Sequence, residues 1–279
     1  MNILNAIMSL IKSPIFELRE YADTHNRVNN MGQALEEYIK DLFADSVNDT
    51  DSNERDKKRS KTFSYLGNKN NPPDAMLING DAIEVKKIEN INSTLALNSS
   101  YPKNKLYSTN TLINRACREC EEWNVKDMLY TIGWVNQNRL KFLCFVYGDE
   151  YCADKLTYEN TRQVLKDGIE NIPSVEFAET NELARINRVD PLGITYLRIR
   201  GMWGIENPLK VFSYIYKYSE KEFSFMALIN QEKFDSFSNK LEFLQFIENN
   251  SKAKIQDVEV KDPNNPAKLK SAKLITFEI

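Results

Sequence analysis

The spacing of apolar residues along the chain predicts an alternation of helices and strands. Recurrence every three to four residues predicts helices over Ile3 to Ile11, Asn30 to Ala44, Leu112 to Trp123, Tyr158 to Glu170 and Glu232 to Glu248. Short runs rich in β-branched and aromatic residues predict strands over Ala75 to Ile78, Ala82 to Ile88, Met128 to Val135, Leu140 to Tyr147, Ile194 to Arg200, Lys210 to Tyr218, Phe223 to Ile229 and Ala272 to Ile279.

Polar segments separate these elements. The charged stretch Asp45 to Lys61 is predicted to be a loop, and Asn136-Gln137-Asn138 a turn between two strands. The order of elements favours an α/β fold in which helices flank a mixed sheet. The 279 residues, 42% of them hydrophobic, suffice for one domain over residues 1–279. Within it we expect a core over about 26–150 and additional elements over about 151–279.

Composition excludes several function classes. The net charge of −3 gives no overall attraction to nucleic acid, so a polyanion must be met by a local basic patch or through a metal ion. His25 is the only histidine, which excludes nucleases and metal sites that need several. Four cysteines and the lack of an apolar run of about 20 residues favour a cytoplasmic protein without membrane contact. Carboxylates, lysines and a hard cation remain for hydrolytic chemistry.

Two acids and a lysine interrupt a segment that otherwise has the pattern of a buried β-hairpin. Alternation along the second strand places Glu84 and Lys86 on one face and Val85 on the other. Asp74 lies in the preceding strand. Buried charges are costly unless they are paired, so these side chains need a partner.

The length of the hairpin loop decides which residue faces Asp74. A two-residue Asn79-Gly80 loop places Asp74 opposite Val85. A three-residue Ile78-Asn79-Gly80 loop, a type I turn closed by glycine in the left-handed region, places it opposite Glu84. Directly opposed Cβ atoms are about 5 Å apart. Two carboxylates at that distance repel each other unless they share a proton or a cation.

A divalent cation would remove this repulsion. Asp74 and Glu84 are then its ligands, with the Val85 carbonyl as a third oxygen, and such hard ligands suit Mg²⁺. Lys86 stands beside this site, where it can orient and polarise an attacking water. In the predicted helix before the hairpin, Glu36 borders the apolar stripe and is the candidate for an additional ligand to metal or water.

Pro73-Asp74 followed by Glu84-Val85-Lys86 resembles the PD-(D/E)xK nuclease motif. The resemblance extends to four longer segments that together look like the NgoPII group of type II restriction endonucleases. These are NRVNNMGQALEEYIKDLF (26–43), NNPPDAMLINGDAIEVKKIE (70–89), LALNSSYPKNKL (95–106) and LRIRGMWGIENP (197–208).

The resemblance implies a type II site-specific deoxyribonuclease of a restriction–modification system. Such an enzyme uses Mg²⁺ to cut both strands of double-stranded DNA at a short palindrome, here expected to be GGCC. A cognate DNA methyltransferase protects the host sites. The two-fold symmetry of a palindrome favours a homodimer in which each subunit cuts one strand. The N-terminal helix or the aromatic helix around Phe234 could form the subunit contact, or both could be buried within one subunit.

Two polar segments are candidates for DNA contact. The first supplies amide, hydroxyl and ammonium donors for phosphates and base edges, namely Asn98, Ser99, Ser100, Lys103 and Lys105. The second contains Arg198 and Arg200 ahead of Trp203, and arginine reads guanine O6 and N7. An ordinary surface loop and a pair of carboxylate-bound arginines are the alternatives.

Two other functions remain open from the sequence alone. One is a different nuclease on the same core, such as a repair or junction-resolving enzyme. The other is a catalytically inactive DNA-binding protein. The intact set of Asp74, Glu84 and Lys86 favours an active enzyme, and the additional chain after residue 150 favours sequence readout.

Overall fold

A computed structural model of the protein describes residues 1–18, 31–68, 71–97, 100–111 and 113–279. His25, Asn98 and Ser99 lie outside the described residues. The helices within that range are α1 (Ile3–Lys12), α2 (Met31–Ala44), α3 (Ser52–Thr62), α4 (Arg115–Glu119), α5 (Gly148–Tyr151), α6 (Lys155–Glu170), α7 (Pro208–Val211), α8 (Gln231–Ser236) and α9 (Lys240–Glu248).

The strands of the described chain are β1 (Phe63–Asn68), β2 (Asn71–Leu77), β3 (Ala82–Ile88), β4 (Leu95–Ala96), β5 (Lys105–Tyr107), β6 (Val125–Asn136), β7 (Arg139–Tyr147), β8 (Ala184–Ile186), β9 (Leu197–Ile199), β10 (Gly204–Ile205), β11 (Ser224–Asn230), β12 (Ala253–Asp262) and β13 (Asn265–Glu278). Within the described residues they form one large mixed sheet and two small ribbons. The expected mixed sheet flanked by helices is confirmed.

The large sheet has the strand order β1-β2-β3-β6-β7-β11-β13-β12, and β5 pairs with β6 at its margin. The pairs β3–β6 and β7–β11 are parallel, and the other pairs are antiparallel. Strands from residues 224–278 therefore share a sheet with the predicted catalytic hairpin. The ribbons β8–β9 and β4–β10 lie outside this sheet.

Each face of the sheet buries its own apolar cluster. On one face α1, α2, α8 and α9 pack against side chains such as Ile83 and Leu129. On the other face α4, α5 and the turn after α7 cover Met128 and Cys144. No helix in the described part of the chain has both the length and the apolarity of a membrane span.

The predicted loop from Asp45 to Lys61 is wrong over most of its length, because α3 occupies it. The Asp51 side chain caps the helix by accepting the Asn53 N–H at 2.9 Å. The buried face carries arginines instead of aliphatic residues. Arg55 and Arg59, 2% and 5% exposed, both bind Asp41, which is fully buried in α2. A search for regularly spaced apolar residues cannot detect a helix whose buried face is made of ion-paired side chains.

Other element predictions need smaller corrections. The aromatic helix predicted from Glu232 to Glu248 is two helices, α8 and α9, and Leu241 is 70% exposed instead of buried. The strand predicted over Lys210 to Tyr218 is replaced by α7 and turns, because Asn207 caps a helix that begins at Pro208. In the described part of Leu112 to Trp123, only α4 is helical. The predictions missed β1 and the charged edge strand β12.

Helix α1 is buried within the subunit. Its apolar side chains are between 0% and 6% exposed, and Phe234 at the other suggested dimer contact is 1% exposed. The structure therefore supports the alternative of burial in the subunit core for α1 and for Phe234. Phe237 is only partly buried, so a subunit contact at that residue stays a prediction.

The Asp41 cluster predicts a large effect on stability. Asp41→Ala would leave the guanidinium groups of Arg55 and Arg59 buried without their shared carboxylate, at a cost of about 3–5 kcal/mol in the free energy of unfolding. Urea unfolding measures this change. The matched control on α3 is Glu54→Ala, whose pair with Lys57 is exposed and is worth less than about 1 kcal/mol. Equal losses in the two variants would contradict the role of Asp41.

Candidate active site

The hairpin loop between β2 and β3 has three residues. Ala75 pairs with Ile83 and Met76 pairs with Ala82. The Leu77 N–H donates to the Asp81 carbonyl at 2.9 Å and closes the loop. This register is the three-residue alternative, and its continuation sets Asp74 opposite Glu84. The geometric condition for a shared carboxylate site is therefore met.

The residue that permits this turn is Asn79, not Gly80. Asn79 has a φ of 52°, in the left-handed region, whereas Gly80 has no positive φ. The Gly80 N–H donates to the Leu77 carbonyl at 3.0 Å, so Asn79 occupies the third turn position, where type II turns require a positive φ. The predicted type I turn closed by a left-handed glycine is wrong. Gly80 is needed for another reason, because a Cβ there would lie 2.9 Å from Leu77 Cβ.

The Asp74 carboxylate binds the backbone of the neighbouring strand. Its Oδ2 accepts the Val85 N–H at 2.7 Å. Because the N–H and C=O of one strand residue point to the same side, the Val85 carbonyl also faces the Asp74 side. The preceding carbonyl, that of Glu84, turns towards β6 and accepts from Thr131 Oγ1 at 3.4 Å. The backbone thus offers one carbonyl oxygen beside Asp74.

Glu84 is held by Lys86 through one oxygen only. Lys86 Nζ donates to Glu84 Oε1 at 2.6 Å across the shared face of β3. Among the described residues, the buried Glu84 Oε2 has no hydrogen-bond donor. A buried carboxylate oxygen without a donor is costly, so this atom is poised for a ligand.

Burial and like charge make the pair of carboxylates unfavourable when both are ionised. Burial, followed by the neighbouring charge of Glu84, raises the pKa of Asp74 from its ordinary 3.8 to about 8. Burial disfavours the charged form of Lys86, but the carboxylates of Glu84 and Asp74 outweigh it and raise the Lys86 pKa. Without a cation the site therefore favours the protonated form of Asp74, and a bound cation would allow both carboxylates to ionise.

Glu36 shares a cleft with Asp74. The cleft has a volume of about 840 Å³, and its lining includes Glu36, Glu37, Asp74 and Val85. The Glu36 carboxylate pairs with Lys40 Nζ at 2.6 Å, and its charge contributes to the raised pKa of Asp74. Glu37, the next residue of the helix, lines the same cleft.

The donor set suits a small hard cation. Its candidates are the Asp74 carboxylate and the Val85 carbonyl, whose residues line the cleft, and the orphaned Glu84 Oε2, whose residue lines a separate small pocket with Tyr101 and Lys103. No three His, Cys, Asp or Glu side chains of the described ranges gather into a metal-binding group. A site of this kind would therefore rely on two carboxylates, one backbone oxygen and groups from water or substrate, which is the usual pattern for Mg²⁺.

The lysines proposed for DNA contact are engaged within the protein. Lys103 is 4% exposed, donates to Ser100 Oγ, and lies 4.9 Å from the centre of the Tyr101 ring. Burial lowers the Lys103 pKa to about 8. Lys105 Nζ pairs with Asp127 at 2.7 Å and with Asp149 at 2.9 Å. In this state of the protein, neither ammonium group is presented to a phosphate.

An aromatic cluster joins the two predicted DNA-contact segments. Trp203 packs edge-on against Tyr101 and Tyr158, with ring centres 6.2 and 5.7 Å away. The Leu97 N–H donates to the Trp203 carbonyl at 2.9 Å beside the β4–β10 ribbon. Sequence reasoning assigned Trp203 to DNA and missed Tyr101 and Tyr158. These contacts attach the 197–208 segment to the chain that leaves the catalytic strand.

Arg198 and Arg200 share one carboxylate. Arg198 binds both oxygens of Glu182, at 2.8 and 2.6 Å, and Arg200 Nε binds the same side chain at 2.5 Å. Both arginine side chains are about half exposed. The structure brings them together at the surface, and Glu182 is the partner that the sequence analysis did not name.

The raised pKa of Asp74 predicts how stability depends on pH without divalent cations. The folded state holds this proton more tightly than the unfolded state, so stability falls as pH rises from about 4 to about 8, by up to a few kcal/mol. Asp74→Asn removes the charge and should unfold at higher urea than wild type at pH 9 in EDTA. The difference should shrink towards pH 4. An unchanged difference at both pH values would contradict the carboxylate repulsion.

Comparison with known proteins identifies the family. The family description NgoPII restriction endonuclease matches residues 1–261. The type II restriction enzyme NgoPII of Neisseria gonorrhoeae is 51% identical over 281 residues, which cover 100% of both chains. No solved structure matches the chain. With the PD-(D/E)xK geometry in place and this similarity over its full length, the chain belongs to the NgoPII family of type II restriction endonucleases.

Proposed function

We propose that this restriction endonuclease cuts both strands of double-stranded DNA at GGCC, with Mg²⁺ as its cofactor and Asp74, Glu84 and Lys86 as its catalytic residues. The observation that carries the proposal is the hairpin register, which sets Asp74 opposite Glu84 while Lys86 holds the second carboxylate. The likeness to NgoPII supports the choice of recognition site.

Asp74, Glu84 and the Val85 carbonyl would hold the cation. When bound, Mg²⁺ would neutralise charge on the scissile phosphate and acidify a water molecule. Two observations support this assignment. Glu84 Oε2 is a buried acceptor without a donor among the described residues, and the raised pKa of Asp74 means that the protein alone does not stabilise the ionised form of that carboxyl group.

The side chains around the cation have separate tasks. The Val85 N–H fixes the orientation of the Asp74 carboxylate. The Lys86 ammonium, beside Glu84, orients the attacking water and stabilises developing negative charge on the phosphate. Glu36, on the cleft wall, is positioned to accept a proton or to bind a water molecule in the same space.

The proposed working form is a homodimer. A palindrome presents two identical scissile bonds related by a two-fold axis, and one active site serves one strand. Two subunits would then supply two copies of the Asp74 site. Its proposed partner in the cell is double-stranded DNA in the cytoplasm. A cognate DNA methyltransferase would act on the same DNA sites without contacting the endonuclease.

The catalytic assignment predicts a separation of cutting from binding. Asp74→Ala, Glu84→Ala and Lys86→Ala should each abolish cleavage while leaving specific binding largely intact, because metal chemistry and base reading use different residues. Plasmid cleavage with and without Mg²⁺ measures the first property, and titration of a GGCC duplex measures the second. Lys87→Ala is the matched control, since Lys87 neighbours the site but pairs with Glu89.

The outcomes separate the candidate activities. Near-wild-type cutting by any of the three alanine variants would remove that residue from the site. Binding without cutting by the wild type in Mg²⁺ would indicate an inactive DNA-binding protein. Cutting at branched DNA but not at GGCC would indicate a junction-resolving enzyme.

Arg198 and Arg200 are the proposed guanine readers. Their guanidinium groups are exposed and adjacent, and Glu182 holds them in the absence of DNA. Guanine O6 and N7 accept the same paired donors that a carboxylate accepts. On binding DNA, at least one of the two arginines would therefore exchange its contact with Glu182 for a contact with guanine.

This exchange predicts that replacing the arginine lowers the binding affinity by an amount that depends on the DNA sequence. Alanine at the reading arginine should weaken specific binding by about 1–3 kcal/mol and relax discrimination at one base pair. Binding to a panel of single-substitution duplexes measures both effects, with Arg115→Ala as the control because Arg115 is exposed on α4. Equal weakening on every duplex, with a smaller salt dependence, would assign the residue to phosphate instead.

A further inference from the structure

The hairpin that carries Arg198 and Arg200 ends in an ordered turn with an apolar surface. The Asp190 carboxylate accepts the Leu192 N–H at 2.9 Å and the Thr195 N–H at 2.6 Å. The Gly193 N–H donates to the Asp190 carbonyl at 2.8 Å, and Gly193 has a φ of 68°. The turn is thus fixed by its own hydrogen bonds and needs no packing against the core.

This fixed turn presents branched aliphatic side chains to solvent. Leu192 is 81% exposed and Ile194 is 77% exposed. Val189 and Tyr196 beside them are also more than half exposed. Four exposed apolar side chains within one ordered eight-residue segment indicate a surface that is covered in the functional state.

The charge of the hairpin indicates what covers it. Residues 182–200 contain four arginines, Arg185, Arg188, Arg198 and Arg200, against two acids, Glu182 and Asp190. Four positive and two negative charges give a net charge of +2 for the segment, whereas the whole chain carries −3. Both acids are already bound within the hairpin. The segment therefore complements a polyanion.

The pairing of the strands strengthens this argument. Arg185 lies directly opposite Arg198 in the β8–β9 ladder. Like charges at directly opposed positions destabilise a ribbon. Glu182 already offsets the charge of Arg198, and further anionic groups at this face would relieve the remaining repulsion. A second copy of the hairpin would instead set a net charge of +2 against another of +2. Double-stranded DNA supplies the opposite charge.

We propose that the 189–196 turn is a DNA wedge that inserts Leu192 and Ile194 between base steps of the bound duplex. Apolar side chains used in this way partly unstack the bases and kink the duplex by roughly 20–90°. Arg198 lies four positions after Ile194, a span of at most roughly 13 Å at the rise of a strand. The wedge and the proposed guanine reader therefore act at different base steps. This inference rests on the proposed DNA-cutting function.

The test compares Leu192→Ser, Ile194→Ser and the double variant with wild type on a fluorophore-labelled GGCC duplex, with Ca²⁺ in place of Mg²⁺ to prevent cutting. Each single variant should bind about tenfold more weakly, the loss expected for exposing one aliphatic side chain. The double variant should lose the kink, which is measured as fluorescence energy transfer between the two ends of the duplex. The salt dependence of binding should not change, because no phosphate contact is lost.

Leu241→Ser is the matched control, since Leu241 is 70% exposed on α9, outside the hairpin; it should retain wild-type affinity and kink. The thermal midpoint of each variant checks folding. A wild-type kink in the double variant would overturn the proposal, whatever its affinity. A shift in sedimentation of the DNA-free double variant would overturn it too, in favour of a subunit contact. Failure of the wild type to bind the duplex specifically would instead count against the proposed function itself.

Discussion

The repulsion between the Asp74 and Glu84 carboxylates is the constraint on which this active site depends. The antiparallel register of β2 and β3 brings the two groups together, and the parallel pairing of β3 with β6 anchors that hairpin in the centre of the sheet. Lys86 offsets part of the charge, but the Asp74 pKa remains raised to about 8 and Glu84 Oε2 remains without a donor. The fold thus stores a local electrostatic cost at the point where a cation is needed, which is a common signature of catalytic sites.

The rest of the structure positions this pair relative to the segment that we propose reads DNA. The strands that follow β7 complete the sheet, so the C-terminal part of the chain supports the catalytic hairpin instead of forming a separate lobe. The segment between α6 and α7 projects from it as the arginine-bearing ribbon. Trp203, packed on Tyr101 and Tyr158, connects that ribbon to the chain leaving β3. The proposed catalytic site and the proposed base-reading segment are therefore physically linked, although they use different side chains.

Much of this arrangement follows from the sequence, and the exceptions have identifiable physical causes. Alternation along β3 predicted that Glu84 and Lys86 share a face, but the sequence left the loop length open, and it is the register of β2 and β3 that sets Asp74 opposite Glu84. The polarity of the loop did not reveal that Asn79, and not Gly80, would take the left-handed conformation. Helix α3 escaped prediction because its buried face is made of arginines that Asp41 neutralises, a tertiary effect that no local pattern records. The burial of Lys103 and the capture of both arginines by Glu182 likewise depend on residues distant in sequence.

The most direct test of the central claim is to locate a bound cation. Crystals of the protein with Mn²⁺ as a substitute for Mg²⁺ would reveal the ion through its anomalous scattering. The account predicts an ion at about 2.0–2.3 Å from a carboxylate oxygen of Asp74, from Glu84 Oε2 and from the Val85 carbonyl. An ion bound elsewhere in the cleft, with Asp74 and Glu84 sharing a proton instead, would contradict it.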